Sequence, residues 1–145
     1  MPTHERDLIF RFPASLQYLT ALRDAVHAFC VDCLESEAYE EQVYQLQLAV
    51  SELATNIIKH AYRDRPPGAV ELRARGVGRA VTLDFFDTGA AYRMKPPTLP
   101  DLERLAEGGY GSFIIHQSVD RVAYDRAGER NHWRLEKQFT EMRGE

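Results

Sequence analysis

Glu52 and Asn56 are the side chains from which chemistry can be read most directly in this sequence. They lie four apart within Ser51-Glu52-Leu53-Ala54-Thr55-Asn56-Ile57-Ile58-Lys59-His60-Ala61-Tyr62, inside the longest helical pattern of the chain. That spacing stacks them on one side of one helix. A carboxylate beside a carboxamide suits an oxygen-preferring metal and a nearby proton transfer. Taken alone, Glu-x-x-x-Asn is more often a solvated helix face, because short motifs recur by accident. Two groups downstream shift that balance.

Asp87-Thr88-Gly89 ends a buried strand. A carboxylate there can accept a hydrogen bond from the exocyclic amine of a flat heterocycle such as adenine. Glycine two residues on lets backbone pass close to the ring. The same pair also makes ordinary strand-to-loop turns. Gly108-Gly109-Tyr110-Gly111 holds three of the nine glycines and stands directly before an apolar helix. Glycines allow backbone N–H groups to face an anion, and a helix N-terminus favours phosphate. No Gly-Lys-Ser/Thr follows, so this is not a P-loop, and the spacing does not fit a dinucleotide fingerprint. A flexible turn is the competing reading.

These groups need elements to hold them. Leu8–Phe12 reads as a strand stopped by Pro13. Ser15 can cap a helix whose stripe is Leu16, Leu19, Val26, Phe29, Cys30 and Cys33. After a polar Glu35–Glu41 connection, a long helix runs from about Tyr39 to Tyr62, with Val43, Leu46, Val50, Leu53, Ile57 and Ala61 on its buried face. Ala69–Arg75 and Ala80–Phe86 alternate as strands around a Gly76–Arg79 turn. Ala90–Glu107 carries three prolines and reads as a lid, with Asp101–Leu105 as a short helix. An apolar helix follows. Arg121–Arg126 and His132–Phe139 form a last hairpin around an Ala127–Asn131 turn. The order predicts an α+β fold: a two-layer α/β sandwich, with helices on one face of a mixed, mostly antiparallel sheet.

Composition narrows the function. The 145 residues fit one domain, 1–145, and the charge of −4 is interspersed without a basic tract. Nucleic acid and a polybasic membrane contact are therefore not expected. No apolar run reaches bilayer length and the first residues lack a signal-peptide pattern, which makes the cytoplasm the expected location. Cys30 and Cys33 are spaced C-x-x-C. A single pair cannot close a zinc site, and both continue an apolar stripe, so they read as buried thiols.

Glu52-Leu-Ala-Thr-Asn56 resembles the N-box of the GHKL superfamily of ATPases and kinases. Asp87-Thr-Gly89 resembles its G1 box and Gly108-Gly-Tyr-Gly111 its G2 box. Phe12-Pro13-Ala14, the run Leu48–Tyr62 and Gly108–Ile115 resemble, more narrowly, the anti-sigma-factor serine kinases of bacterial partner switching. The resemblance covers nearly the whole chain and implies the Bergerat ATP-binding fold. By it, Asn56 coordinates Mg²⁺ on the phosphates of ATP and Glu52 is the general base toward a substrate serine. Asp87 binds the adenine amino group with Gly89 giving clearance, and Gly108, Gly109, Gly111 and Ser112 hold the phosphates. Implied partners are an antagonist protein as phosphorylation substrate and a sigma factor or similar target, with homodimerisation suggested. The sequence departs from that family where Arg93 and Met94 replace an acid and a proline, and where Tyr110 fills a position often held by arginine. Those departures keep open a non-catalytic ATP-binding module, and a free-standing ATPase is the other alternative. No phosphoacceptor histidine box is present, which disfavours an autophosphorylating histidine kinase. His60 is expected to pack near the following loop.

Overall fold

The alternating segments pair into a single five-stranded sheet in the computed structural model, which describes residues 5–92 and 110–141. Its strands are β1 (Glu5–Pro13), β2 (Ala69–Val77), β3 (Ala80–Asp87), β4 (Arg121–Ala127) and β5 (Arg130–Gln138), ordered β1-β2-β3-β5-β4. Every neighbouring pair is antiparallel. Phe12, Val70, Leu72, Val81, Leu83, Phe85, Trp133 and Leu135 are buried on one face. The intervening positions, among them Arg11, Glu71, Arg73, Asp84 and Arg134, belong to the opposite face, as a period of two requires, and no helix of the described residues covers it.

Three α-helices cover the apolar face: α1 (Leu19–Leu34), α2 (Glu40–Asn56) and α3 (Tyr110–Ser118). α2 packs against both of the others. Its Leu46, Ala49, Val50, Leu53 and Ala54 are essentially inaccessible to water. Each large apolar side chain so buried contributes roughly 1.5–3 kcal/mol, which makes α2 a rigid mount for whatever its far end carries. Gln42 fixes the chain end to that helix: its Nε2 donates to the Thr140 carbonyl (2.5 Å) and its Oε1 accepts from the Thr140 N–H (3.1 Å). Among the described residues, no helix is long and apolar enough to cross a membrane.

The two-layer α+β sandwich expected from the element order is the one that forms, with shifts at several boundaries. Pro13 does not stop β1. It is the last paired residue of an edge strand, opposite Ala69, where a missing N–H is tolerated. Ser15 caps only a single 3-10 turn, Leu16–Tyr18, and makes no side-chain cap bond. Gly76 and Val77 belong to β2, so the hairpin turns on Gly78, whose φ of +61° suits glycine. Cys30 is fully buried, and burial pushes its thiol up to about 12. It is a packing residue, as the stripe indicated. A β-carbon placed at Gly76 would run into Cys33 Sγ, so the second thiol is also part of the helix–sheet contact.

Candidate functional site

At Asn56 the α-helical winding of α2 ends and the chain makes one wider turn of π geometry, Ile57–Ala61. Such turns are rare and collect at functional sites. Here the turn brings the Ala61 carbonyl to the segment that follows β3, where it accepts the Ala90 N–H at 2.6 Å. Tyr62 adds a second tie. Its hydroxyl donates to the Ala69 carbonyl and accepts the Thr88 N–H, both at 3.1 Å. The end of the long helix and the end of β3 are thereby held as one unit.

Gly89 is where the two backbones come closest. A β-carbon at this position would collide with the Ala61 carbonyl oxygen and Cβ, atoms that cannot swing aside. Gly89→Ala should therefore cost about 1–3 kcal/mol, a typical overpacking penalty. Denaturant unfolding checks this. An unchanged midpoint and slope would show that the approach is not close in solution.

Asp87, the last residue of β3, is buried at 2% exposure. Its Oδ1 accepts the Gly89 N–H (2.9 Å) and Asn131 Nδ2 (2.8 Å), whereas its buried Oδ2 has no partner among the described residues. Burial pushes the carboxyl above its usual range, and the bonds from Asn131 and Gly89 and the nearby Arg126 charge pull back only part of the way. A buried acceptor without a donor is uncommon in native proteins and calls for a ligand or an ordered water.

Asn131, on β5, holds that carboxylate in place. It sits opposite Asp87 in the strand register and is 1% exposed. Besides Asp87, its Nδ2 donates to the carbonyls of Ala90 (2.8 Å) and Gly89 (3.3 Å). Its Oδ1 accepts from the Tyr124 hydroxyl (2.5 Å) and Arg126 Nη1 (2.7 Å). Tyr124 in turn accepts the Tyr92 N–H at 3.0 Å, and Arg126 donates to the Gly89 carbonyl at 3.0 Å. Asn131 has no hydrogen-bonding capacity left over, so it acts as a positioning residue. The sequence reading missed it by placing it in the turn; continuing the alternation back from Leu135 and Trp133 would have put it on the inner face.

Replacing Asn131 with leucine removes these bonds from a dry site. Asn131→Leu should destabilise the fold by about 3 kcal/mol, since each buried group left unpaired costs roughly 1–3 kcal/mol. The denaturation midpoint reports it, and a variant as stable as the parent would show that water replaces the clamp.

Between these elements lies a small cleft of about 30 Å³, lined by Asn56, His60, Asp87, Tyr92, Asn131 and Trp133 among others. Tyr92 meets Trp133 edge-on, with ring centroids 4.9 Å apart, and Tyr124 tilts against the same indole at 4.7 Å. The pocket thus combines an apolar aromatic wall, one unsatisfied carboxylate oxygen and a carboxamide at a helix end. The amino group of a planar base would supply the donor that Asp87 Oδ2 lacks. His60, expected to pack near the following loop, is exposed and contributes to the pocket wall, one turn past Asn56. Glu52 stands one turn before Asn56 on α2, half-buried, and does not line the pocket. Gly111 and Ser112 fall in the first turn of α3, while Gly108, Gly109, Arg93, Met94 and the expected Asp101–Leu105 helix lie outside the described residues.

Residues 12–137 match the histidine kinase-like ATPase domain. This chain belongs to that family. The ATPase domain is 31% identical over 96 residues to the serine/threonine-protein kinase BtrW of Bordetella bronchiseptica, covering 63% of this chain and 68% of that one. It is 24% identical over 144 residues to an anti-sigma F factor of Clostridium botulinum, covering 94% and 96%. Among solved structures, the RsbU and RsbW domains of a Mycobacterium tuberculosis protein share its fold with a TM-score of 0.66 at 14% identity, covering 92% of this chain and 32% of that one. Membership in an ATP-using family accords with the ATP reading of the sequence. The family match takes in Glu52, Asn56, Asp87 and the glycine cluster, and also the Asn131 clamp of this particular ATPase domain.

Proposed function

We propose that this ATPase domain is a cytoplasmic serine kinase of partner switching. In this reading it phosphorylates a serine on an antagonist protein and separately binds a sigma factor or similar regulator, acting as a homodimer. The observation that carries the nucleotide part is the buried, partnerless Oδ2 of Asp87 in a pocket walled by Tyr92 and Trp133. Asp87 accepts the adenine amino hydrogen and Asn131 fixes the angle of that carboxylate, while Gly89, which lets the Ala61 backbone close against the end of β3, gives the ring clearance as the family resemblance implies. The likeness to a named serine kinase and to a named anti-sigma factor supports the choice of substrate and target.

Asn56 offers an amide oxygen at the helix end of the pocket, the kind of single hard ligand that Mg²⁺ takes while it keeps water and phosphate oxygens. Bound Mg·ATP would supply the transferable phosphoryl group and the charge neutralisation that such transfer needs. Gly108, Gly109, Gly111 and Ser112 contribute N–H donors toward the phosphates. Glu52, one turn away from Asn56 and outside the pocket lining, is free to take the proton of an incoming serine hydroxyl.

The nucleotide part is tested by thermal or chemical unfolding with added Mg·ATP. Ligand at about a hundred times its Kd should stabilise the fold by about 2.7 kcal/mol. GTP, which presents a carbonyl where adenine has its amine, should give a much smaller effect. No shift with Mg·ATP, or equal shifts with both nucleotides, would overturn the adenine reading. Phosphate release at full rate without a protein partner would point instead to a free-standing ATPase.

A further inference from the structure

The outer face of the sheet carries a second chemical feature, which adjoins the nucleotide pocket only at Asp87. Across its strands, Arg11 on β1 pairs in register with Glu71 on β2, and Glu71 with Phe86 on β3. Three guanidinium groups converge on the one Glu71 carboxylate. Arg73 Nε bonds Oε2 at 2.6 Å, Arg11 Nε stands 3.6 Å from Oε1, and Arg130 Nη2 stands 3.9 Å from Oε2. Among the described residues these arginines form no other ion pair. Three cations face the Glu71 carboxylate, and the buried Asp87 carboxylate is the second acid on the lining, so the exposed groups carry a positive excess on a chain whose total is −4.

The excess is exposed and preorganised. The side chains of Arg11, Arg73 and Arg130 are 69%, 50% and 48% accessible, whereas that of Glu71 is 19%. Arg130 and Arg73 lie over the Phe86 ring, 3.9 and 4.8 Å from its centroid, and His132 stacks on the same ring at 4.5 Å. Stacking holds a guanidinium plane still while its N–H edge stays available to a carboxylate. These side chains border a shallow hollow of about 260 Å³ that reaches Asp87 and Thr88.

We propose that this hollow docks an acidic segment of a protein partner, with one carboxylate at Arg11 and a second at Arg130. Glu71 already occupies the point where the guanidinium groups meet. Added anions must therefore sit on its two flanks, which suits two side chains of one peptide better than a single small ion. Charge complementarity selects the occupant, since an overall acidic molecule presents its positive excess only to a partner of opposite sign. The proposal does not depend on the nucleotide reading.

Fluorescence anisotropy of a labelled Glu-rich peptide tests it, with a Lys-rich peptide of equal length as control and the full chain as receptor. The Glu-rich peptide should bind, the Lys-rich peptide should not, and added salt should weaken the binding. The Arg11→Glu/Arg130→Glu variant should lose at least about tenfold in affinity, with circular dichroism and melting unchanged. If that pair fails to fold, the single variants Arg130→Gln and Arg11→Gln should each weaken binding. Lack of binding to the parent or equal binding by the variants would overturn the proposal. Competition by inorganic phosphate at the same concentration as peptide would make this a small-ion site. A change of oligomeric state in the double variant, read by light scattering, would make it a contact between copies of the chain. Either result would also overturn it.

Discussion

Asp87→Asn should remove nearly all Mg·ATP binding while leaving the fold intact. The substituted side chain keeps an oxygen for the Gly89 N–H and Asn131 Nδ2, which now bond Oδ1. The atom that takes the place of Oδ2 becomes an NH₂ group and opposes the adenine amine donor to donor. Losing a charge-assisted hydrogen bond and leaving buried donors unmatched together cost about 3–4 kcal/mol, or two to three orders of magnitude in Kd. The apo protein should melt no lower than the parent. Burial raises the Asp87 pKa, so its ionised form costs folding stability above the ordinary carboxylate range, and that cost disappears on substitution. Calorimetric titration with paired melting curves checks both halves. Retained affinity would remove Asp87 from the base-binding site.

The same shift predicts a pH dependence whose sign differs for folding and for binding. As pH falls through the raised pKa, Asp87 takes up a proton, and its penalty to folding is relieved. Adenine binding needs the ionised acceptor and should weaken over that same interval, beginning at a higher pH than an unperturbed carboxylate would set. Asp84 runs the other way. Burial would raise it, but hydrogen bonds from Arg134 and His132 hold it below the usual range. Its contribution is present above the unfolded carboxylate pKa and is lost only as pH falls through the lowered folded value. A mildly acidic window should therefore exist in which nucleotide affinity drops while the sheet remains paired.

Glu52→Gln should abolish phosphoryl transfer and spare nucleotide binding. A positioned general base contributes about 10²–10⁴ in rate, and glutamine matches its shape without accepting a proton. Glu52 lies outside the pocket lining, so Kd for Mg·ATP should stay within about twofold of the parent. Single-turnover transfer to a protein substrate measures the rate, and titration measures the Kd. A variant that transfers at the parental rate would exclude Glu52 as the base. One that loses transfer and binding together would make it a nucleotide ligand instead.

Strict alternation made the hairpins legible, because a period of two has few other meanings in segments such as Val70-Glu71-Leu72-Arg73-Ala74. The long helix was legible from its apolar steps, but the π turn within it was not. Ile57 and Ala61 are four apart, which an α-helix also allows, and only the closure onto Ala90 reveals the wider winding. His60 lines the pocket beside Asn56, the side that their four-residue spacing gives it, and not the loop. Asp87 and Gly89 could be read as a pair from their own chemistry. Asn131 could not, because its meaning comes from standing across from Asp87, 44 residues away in the chain. The arginine hollow was equally hidden: Arg11, Arg73 and Arg130 come from three strands and meet only through the sheet register.

The most direct measurement of the central claim is transfer of label from γ-labelled Mg·ATP to the cognate antagonist protein, at nucleotide concentrations where binding is saturated. A serine on the antagonist should become labelled in the presence of this chain and remain unlabelled with the Glu52→Gln variant. Saturated Mg·ATP binding with no label on the antagonist would contradict the kinase account and leave a nucleotide-dependent binding module.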